Sequence, residues 1–395
     1  MTLRGCAERD QGVRFVSQKP ASLCMACKQY ASHDLYVKQK LAHFSRRLDA
    51  LNALNASTLR CIAVPGWEVN LTLSADSGNI TLNATYRGSA LKQTHKHKAD
   101  SVVKLIQHVV QLHQPMLLPE LRQLQDRRSS FFVSINDFQA EDRGSPLPLL
   151  ERCTTVSSTA GVPIPDYTFN DYQEARSSNS DGRWQALLSI LLNFAASNNV
   201  TQRQPKLTWR GSANQPHFIW TLPLEHRHRR THAVAQLMQH RGRLERAGIK
   251  VDVQGGHLNW SQQCTSRYLL HLDGYSYSAS LKYKLACGAV ILRVTGGNLL
   301  HRGGRRFEPP LEWFEAVAPL TNVTIPILAN MSDMEAKLLD IHENPSRLKA
   351  LSTAATNYAQ MHLSPDAVMC YLAVVLRTNI RLFGRWKRMC GRSDT

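Results

Sequence analysis

Hydrophobic and polar residues alternate near the start of the chain. The hydrophobic positions recur every second residue on both sides of the segment from Asp76 to Gly78, and they are Val69, Leu71, Leu73, Ile80, Leu82 and Ala84. A period of two indicates strands with one buried face, and a Ser-Gly pair is typical of a tight turn. The pattern therefore predicts a β-hairpin within residues 60–87.

Apolar residues recur every three or four positions before and after this hairpin, which predicts amphipathic helices. One helix is expected over residues 36–56, a second from Val102 to Leu112 with its end near Pro115, and a third from Trp184. Between the second and third helices, residues 131–135 have the pattern of a buried strand.

From about residue 200 onward, short apolar strands alternate with helices. The predicted strands are 206–209, 248–253, 268–272, 290–292 and 325–328. Helices are predicted at 233–246, after Ser280, at 312–315, from Ser332 with Glu335 in a capping box, and as a final pair within 345–386. Repeated units of this kind imply an α/β fold with a parallel sheet covered by helices on both faces.

The segment from Tyr268 to Leu292 combines a strand, a loop and a helix. Its apolar run stops at a turn, and the loop that follows consists of Tyr275, Ser276, Tyr277, Ser278, Ala279 and Ser280. A hydroxyl-rich loop leading into a helix N-terminus suits an anionic phosphate, and Lys282 in the first turn adds a point charge. An ordinary βαβ unit with a surface loop explains the same spacing, since Ser is common at helix starts.

Charged residues end two of the predicted strands. Asp137 follows the strand at 131–135, where it could act as a general base, although an Asp that caps a turn gives the same pattern. Arg210, Gly211 and Ser212 follow the strand at 206–209. A guanidinium can pair with a phosphate and Gly allows a close backbone approach, but this tripeptide alone is not specific.

The net charge of +18 and the pI near 9.7 indicate an acidic partner. Nucleic acid, a nucleotide-sugar phosphate and an anionic glycan all fit that description. The basic residues are spread along the chain, with local density at 227–230, 302–306 and 385–392, and no zinc-finger, RNA-recognition or bZIP motif accompanies them. A basic solvated surface therefore explains the charge better than a nucleic-acid site does.

Two features of the sequence give conflicting predictions of the cellular location. No apolar run reaches the roughly 18 residues of a membrane span, and residues 1–20 lack the apolar core of a signal peptide. Yet Asn-x-Ser/Thr sites, which indicate the lumen of the endoplasmic reticulum or Golgi, occur at Asn55, Asn70, Asn79, Asn83, Asn199, Asn259, Asn322 and Asn330. An incomplete N-terminus would reconcile the two. The nine cysteines allow a few disulfides with a free thiol, and a disulfide or buried thiols explain Cys24 and Cys27 better than zinc does.

The strand, loop and helix segments predicted from about residue 130 onward, taken in order, resemble glycosyltransferase family 90. Its capsule-associated (CAP) domain occurs in Rumi-type protein O-glucosyltransferases and in β-1,2-xylosyltransferases. The matching segments are 132–137, 209–212, 226–229, 268–274, 278–288, 312–315, 332–335 and 370–371. The resemblance covers about residues 130–385 and depends on the order and spacing of the segments. Residues 1–125 carry no such resemblance.

The resemblance implies a GT-B architecture, in which two Rossmann-like domains face each other across a cleft. The expected parts are an unassigned N-terminal region at 1–125, a first domain at 126–198 that takes in part of 36–125, a UDP-sugar-binding domain at 199–362, and a C-terminal helix with a basic tail at 363–395.

The resemblance also implies an inverting transfer of glucose or xylose from a UDP-sugar to a hydroxyl of a protein or glycan. No metal or other cofactor is expected, nor a nucleic-acid partner, and any membrane association would depend on a segment outside this sequence. Asp137 matches the catalytic base. The predicted donor site comprises Arg210, Gly211, Ser212, Arg227, Arg229, Tyr275, Ser276, Tyr277, Ser278, Ala279, Ser280 and Lys282.

Ser280 departs from the family pattern, which usually has an Arg at this position. Loss of a charge-assisted contact to a phosphate costs about 1.5–3 kcal/mol of binding. Either another basic residue substitutes, or the donor site is weakened or inactive. The alternative function is therefore a relative that binds a glycan or nucleotide without turnover, and a basic nucleic-acid-binding protein is the least favoured interpretation.

Overall fold

The computed structural model describes residues 35–40, 42, 44–46, 68–86, 93–134, 149–152, 161–170, 183–211, 229–254, 258–273, 278–294, 311–328 and 330–390. The strands are β1 (Glu68–Asp76), β2 (Asn79–Tyr86), β3 (Arg128–Ser134), β4 (Leu149–Glu151), β5 (Gly161–Pro163), β6 (Gln204–Arg210), β7 (Lys250–Gln254), β8 (Ser266–His271), β9 (Val290–Val294) and β10 (Ile325–Ile327). The helices are α1 (Gln93–Leu112), α2 (Gln114–Arg122), α3 (Trp184–Ser197), α4 (Arg229–Arg246), α5 (Trp260–Cys264), α6 (Leu281–Ala286), α7 (Trp313–Val317), α8 (Met334–His342), α9 (Pro345–His362) and α10 (Pro365–Cys390). The strands form two five-stranded sheets, so the fold is α/β as predicted.

The first sheet has the strand order β2-β1-β3-β4-β5. β1 is antiparallel to both β2 and β3, whereas β3, β4 and β5 are parallel. The predicted hairpin is confirmed, because Asp76 pairs with Asn79 across a turn in which Ser77 and Gly78 have φ angles of 44° and 94°. Positive φ at both central residues matches the twist of the turn to that of the strands.

Helices α1, α2 and α10 pack against the first sheet. The helix predicted from Val102 is confirmed as α1, and it buries Val102, Ile106 and Val109. Helix α1 ends at Leu112, near Pro115 as predicted, and Pro115 lies in the first turn of α2, where its missing N–H leaves no bond unmade. Residues 35–40 and 44–46 are helical, which agrees with the prediction at 36–56 as far as the described residues extend.

The second sheet has the order β10-β9-β8-β6-β7, and every pair is parallel. The parallel sheet predicted from the strand-helix alternation is therefore confirmed. Numbered along the chain within this sheet, the strands stand in the order 2-1-3-4-5 of flavodoxin-like doubly wound folds. From β6 the chain adds β7 on one side and β8, β9 and β10 on the other, so the strand order reverses between β6 and β8 and this pair is the topological switch point.

The capping box predicted at Ser332 and Glu335 is wrong. Helix α8 has Asp333 as its N-cap residue, without a capping side-chain bond. Glu335 instead accepts a 2.5 Å hydrogen bond from His240 on α4, and the hydroxyl of Ser332 donates to Asn330. A capping box does form at α7, where the side chains of Glu312 and Glu315 accept each other's backbone N–H groups.

Helix α10 is a core helix that starts at Pro365 and is the second of the final pair of helices predicted within 345–386. Within the described residues, Pro365–Arg388 is the one stretch long and apolar enough to cross a membrane, but 72% of its apolar window is buried inside the fold. Tyr371 on α10 donates a hydrogen bond to the carbonyl of Pro163 at the end of β5. The helix therefore covers the first sheet, although it is the last element of the chain.

A disulfide joins Cys264, at the end of α5, to Cys287, immediately after α6. Buried Arg203 donates to the carbonyl oxygens of both cysteines, at 3.2 and 2.9 Å. It also binds the carbonyl of Asn198 at the end of α3. Burial lowers the pKa of Arg203 to about 10, so this guanidinium is charged at neutral pH and ties the three helix ends together.

Candidate functional site

The C-terminal ends of β6 and β8 lie side by side at the switch point of the second sheet. In open α/β sheets, ligands bind in the crevice outside the carboxyl ends of the strands at such a point. β6 ends at Arg210, and β8 leads through His271 to Asp273. Two of the segments predicted from the sequence therefore meet at one edge of the sheet.

Arg210 is held by the neighbouring strand β7. Its guanidinium forms a forked ion pair with Asp252, at 2.8 and 2.9 Å from the two carboxylate oxygens. The same group donates to the backbone carbonyls of Trp209 and Asp252, each at 2.9 Å. Because these bonds occupy much of its donor fork, Arg210 braces the end of β6, and contact with an anion would have to use its remaining exposed side.

Gly211 follows Arg210 and packs against the preceding tryptophan. A Cβ atom at this position would lie 2.8 Å from a ring carbon of Trp209. The observed geometry therefore favours glycine because of the Trp209 ring, while the predicted close approach of this backbone to a phosphate stays a prediction. Ser212, the third residue of the predicted group, lies outside the described residues.

Arg230 in the first turn of α4 bridges the two strand ends, and the sequence analysis did not select it. Its guanidinium donates to the backbone carbonyls of Asp273, at 3.1 Å, and of Leu272, at 3.4 Å. The guanidinium carbon is also 6.0 Å from the ring centroid of Trp209. The basic run at 227–230 signalled this position, but Arg227 lies outside the described residues, as does the side chain of Arg229.

Residues 278–280 form a turn that enters α6, and all three are half-buried. The hydroxyls of Ser278 and Ser280 lie 2.9 Å apart, and the backbone N–H of Leu281 donates to the carbonyl of Ser278. Ser280 occupies the N-cap position without a capping side-chain bond. Tyr275, Ser276 and Tyr277, which precede this turn, lie outside the described residues.

The sequence predicts that Lys282 presents a point charge to a phosphate, but the structure places this side chain in the interior. Its side chain is fully buried, with its Nζ atom 3.3 Å from Asp166 Oδ1 and hydrogen-bonded to the hydroxyl of Thr168. The ammonium also lies 3.9 Å from the ring centroid of Phe169. The sequence placed Lys282 in the first turn of the helix correctly, but that turn faces the interior, so the charge ties α6 to the turn at 166–169.

A second buried lysine lies beneath the switch point. Lys284 donates to the carbonyl of Leu270 at 2.9 Å, and its Nζ atom is 3.4 Å from Nδ1 of His271. Burial, and secondarily the charge of Arg230, lowers the pKa of Lys284 to about 7. Burial also lowers the pKa of His271 to about 3, so this imidazole is neutral. Its Nε2–H can then donate to Asp273 Oδ1, 3.3 Å away, which leaves Nδ1 as the acceptor for Lys284.

The two glutamates of the 312–315 segment lie in the interior and are structural. Glu315 forms an ion pair with Arg293 near the end of β9. Burial raises the pKa of Glu312 well above its usual range, against the opposing effect of Lys282. Both carboxylates also close the capping box of α7. Because both are buried, this segment does not present a carboxylate to solvent.

The predicted base, Asp137, lies outside the described residues, three positions after the last residue of β3. Buried-strand character, predicted for residues 131–135, is confirmed up to Ser134. Within the described ranges, no group of three or more His, Cys, Asp or Glu side chains could hold a metal ion.

Comparison with known proteins and protein families shows which family the chain resembles. A search of curated proteins finds no match. The sequence model of glycosyl transferase family 90 matches residues 85–384, which is more than half of the chain and includes both sheets from the end of β2 onward. This match supports a glycosyltransferase activity, with a donor and an acceptor as substrates in general. The resemblance stated from the sequence is thus confirmed, and the chain belongs to glycosyl transferase family 90.

Proposed function

We propose that the chain transfers glucose or xylose from a UDP-sugar to a hydroxyl of a protein or glycan, with inversion and without a metal ion. In this proposal the second sheet and its helices form the donor domain of a GT-B arrangement. The first sheet and the segment after β3 carry the acceptor site and the base.

One observation carries this proposal: the strand order of the second sheet. The order 2-1-3-4-5 brings the end of β6, with Arg210 and Gly211, beside the end of β8, with Asp273. These are the segments that the family resemblance assigns to the donor. A nucleotide bound at the carboxyl ends of these strands would meet both segments at once.

Arg230 is our candidate for the charge that Ser280 lacks. An inverting transfer without a metal needs positive charge on the departing diphosphate. Arg230 lies between the ends of β6 and β8, within 3.1 Å of the carbonyl oxygen of Asp273, and remains half-buried at the edge of the sheet. A guanidinium in this position can share its fork between that carbonyl and a phosphate oxygen.

Asp137 is our candidate for the general base. The attacking hydroxyl must lose its proton as it bonds to the anomeric carbon, and a carboxylate within hydrogen-bond reach accepts that proton. The bond between the anomeric carbon and the diphosphate oxygen breaks at the same time, and UDP leaves with the electron pair. A base on the opposite face of the sugar from UDP yields an inverted product.

The substitution Asp137→Asn tests this assignment. We expect it to lower transfer by at least about 100-fold, the usual contribution of a general base, while UDP binding remains within about twofold of wild type. Transfer is measured by product analysis with a mixture of UDP-sugars, and binding by calorimetric titration with UDP. Near wild-type transfer in this variant would exclude Asp137 as the base.

A second candidate function is supported by Ser280 and by the burial of Lys282, which together remove two expected cations from the donor site. In that case the protein would bind a nucleotide sugar or glycan without turnover. Titration of the wild-type protein with UDP-glucose and UDP-xylose separates the alternatives. Saturable binding without product on a broad acceptor panel would favour the binding protein.

The secretory lumen is our proposed location. The disulfide between Cys264 and Cys287 supports it, since such bonds persist in oxidising compartments, and Cys370 is disulfide-bonded as well. The glycosylation acceptor sites point in the same direction. Microscopy of the tagged full-length gene product in its own cells tests the location, and a cytosolic signal would contradict it.

A further inference from the structure

The hairpin β1–β2 presents two glycosylation acceptor sites on one outward face. Asn79 and Thr81 form the first site, and Asn83 and Thr85 form the second. All four side chains are exposed, while the residues between them, such as Leu82, turn towards the helices. The period of two in a strand thus places both acceptor asparagines and both hydroxyls on the same side.

A third acceptor site on the same hairpin differs in burial. Asn70 lies on the central strand β1, between Thr85 on β2 and Phe132 on β3, and is half-buried. Its side-chain oxygen is fully buried and makes no hydrogen bond. Because Asn70 lies inside the sheet, with Thr85 and Phe132 opposite it on the two neighbouring strands, a sugar on its Nδ2 has less room than at the two exposed sites.

We propose that Asn79 and Asn83 carry N-linked glycans in the mature protein and that Asn70 does not. In the modification, the amide nitrogen Nδ2 bonds to the anomeric carbon of an oligosaccharide carried on a polyisoprenyl diphosphate. The bond from that carbon to the diphosphate oxygen breaks, the diphosphate leaves with the electron pair, and the amide loses one proton.

The neighbouring contacts are compatible with this modification. The side-chain oxygen of Asn79 is 3.5 Å from the amide nitrogen of Gln114 on α2, and that oxygen remains an acceptor after a sugar is attached to Nδ2. At roughly 3.4 Å per residue, the two asparagines lie about 14 Å apart along the strand, which leaves room for two glycans.

The glycans would also protect an exposed edge. Among the described strands, β2 is the outermost of the first sheet, so one row of its backbone groups lies at the sheet edge. Such edges can pair with another chain, and bulky groups beside them hinder that pairing. The inference shares the secretory compartment with the proposed function, but it does not depend on the transfer reaction.

Mass spectrometry of the protein purified from its own cells tests the proposal. Digestion with a peptide N-glycosidase in heavy-oxygen water converts each glycan-bearing Asn into a heavy-labelled Asp, and a digest without the enzyme is the control. We expect label at Asn79 and Asn83 and none at Asn70. Absence of label at either Asn79 or Asn83, or label at Asn70, would overturn the proposal.

Hydroxyl variants of the full chain, directed into a eukaryotic secretory pathway, give a second test. Thr81→Ala and Thr85→Ala should each remove one glycan and increase electrophoretic mobility by one step, whereas Thr72→Ala, next to Asn70, should leave mobility unchanged. Unchanged mobility in both of the first two variants would refute the assignment. Transfer activity measured on the same proteins distinguishes this outcome from a failure of the proposed function.

Discussion

Arg230 and Lys282 are basic side chains near the same edge of the second sheet, yet their surroundings give them different roles. Lys282 is fully buried and pairs with Asp166, so its charge is neutralised inside the protein. Arg230 donates to the backbone carbonyls of Asp273 and Leu272, lies near the ring of Trp209, and is half-buried. Because Arg230 lies at the switch point and Lys282 lies in the interior, Arg230 is the one of the two that we propose for contact with a donor phosphate.

Substitution of Arg230 by Met tests this role at the scale of one residue. Removal of a charge-assisted contact to a phosphate costs about 1.5–3 kcal/mol, so we expect the affinity for UDP to fall by roughly 10- to 100-fold. Calorimetric titration measures the change. Arg241→Met is the matched control, because Arg241 lies on the same helix and pairs with Glu245 on an exposed surface.

An unchanged affinity for UDP in Arg230→Met would remove Arg230 from the donor site. An equal loss of affinity in both variants would indicate a general electrostatic effect of the basic surface. Ser280→Arg offers the complementary experiment, since restoring the family's usual residue should raise the affinity.

At the scale of elements, α6 is a short, buried helix with contacts that hold both of its ends. All six of its residues are buried, and Gly288 ends it with a φ angle of 60°. The disulfide from Cys287 to Cys264 and the bonds from Arg203 hold its C-terminal end, while Lys282 holds its first turn. The turn at 278–280 is therefore joined to a helix that is held at both ends.

The double variant Cys264→Ala/Cys287→Ala tests the contribution of the disulfide. The bond closes a loop with a sequence separation of 23 residues, for which the chain-entropy model gives about 3 kcal/mol of stabilisation. We expect a loss of that size in the free energy of unfolding, measured by urea denaturation under oxidising conditions. Equal stability of variant and wild type would contradict a stabilising role of this bond.

At the scale of the whole molecule, the two sheets are tied together by contacts between residues far apart in sequence. Trp184 donates to the carbonyl of Leu363 at 2.6 Å, and Tyr371 donates to the carbonyl of Pro163. Lys282, from the second sheet's α6, reaches Asp166, which follows the first sheet's β5. The last helices of the chain thus pack against its first sheet, and the charge pair joins the two halves.

Lys282→Met tests the importance of this charge pair. Removal of the ammonium deprives the buried carboxylate of a nearby positive charge, and breaking such a pair typically costs about 3–5 kcal/mol of unfolding free energy. The double variant Lys282→Met/Asp166→Asn should recover part of the loss, because Asn keeps the acceptor oxygen that binds the backbone N–H of Thr168. Urea denaturation measures the free energy of unfolding of the wild type, the single variant and the double variant.

Lys337→Met serves as the control for this experiment. Lys337 pairs with Asp333 four residues earlier, and its side chain is 40% exposed, so its loss should change stability by less than about 1 kcal/mol. Equal effects of Lys282→Met and Lys337→Met would contradict the interpretation of the buried pair.

Local patterns in the sequence were sufficient for most of the elements. The alternation around Gly78 identified the hairpin, the spacing from Val102 identified α1, and the strand-helix alternation after residue 200 identified a parallel sheet. Periodicity reports which face of an element is buried, and that information is contained within a few neighbouring residues. The family was recognised for a similar reason, since its segments are short and ordered.

Only the tertiary structure decided which partner each charged side chain meets. Lys282 and Asp166 are 116 residues apart, and the backbone carbonyls that accept from Arg230, just after β8, are 42 and 43 residues away from it. Ser332 and Glu335 have the spacing of a capping box, but His240 and Asn330 compete for their side chains. Strand order likewise depends on long-range pairing, which local periodicity does not encode. The sequence by itself therefore determined most of the elements and the family, while the fold decided which residues meet at the candidate site.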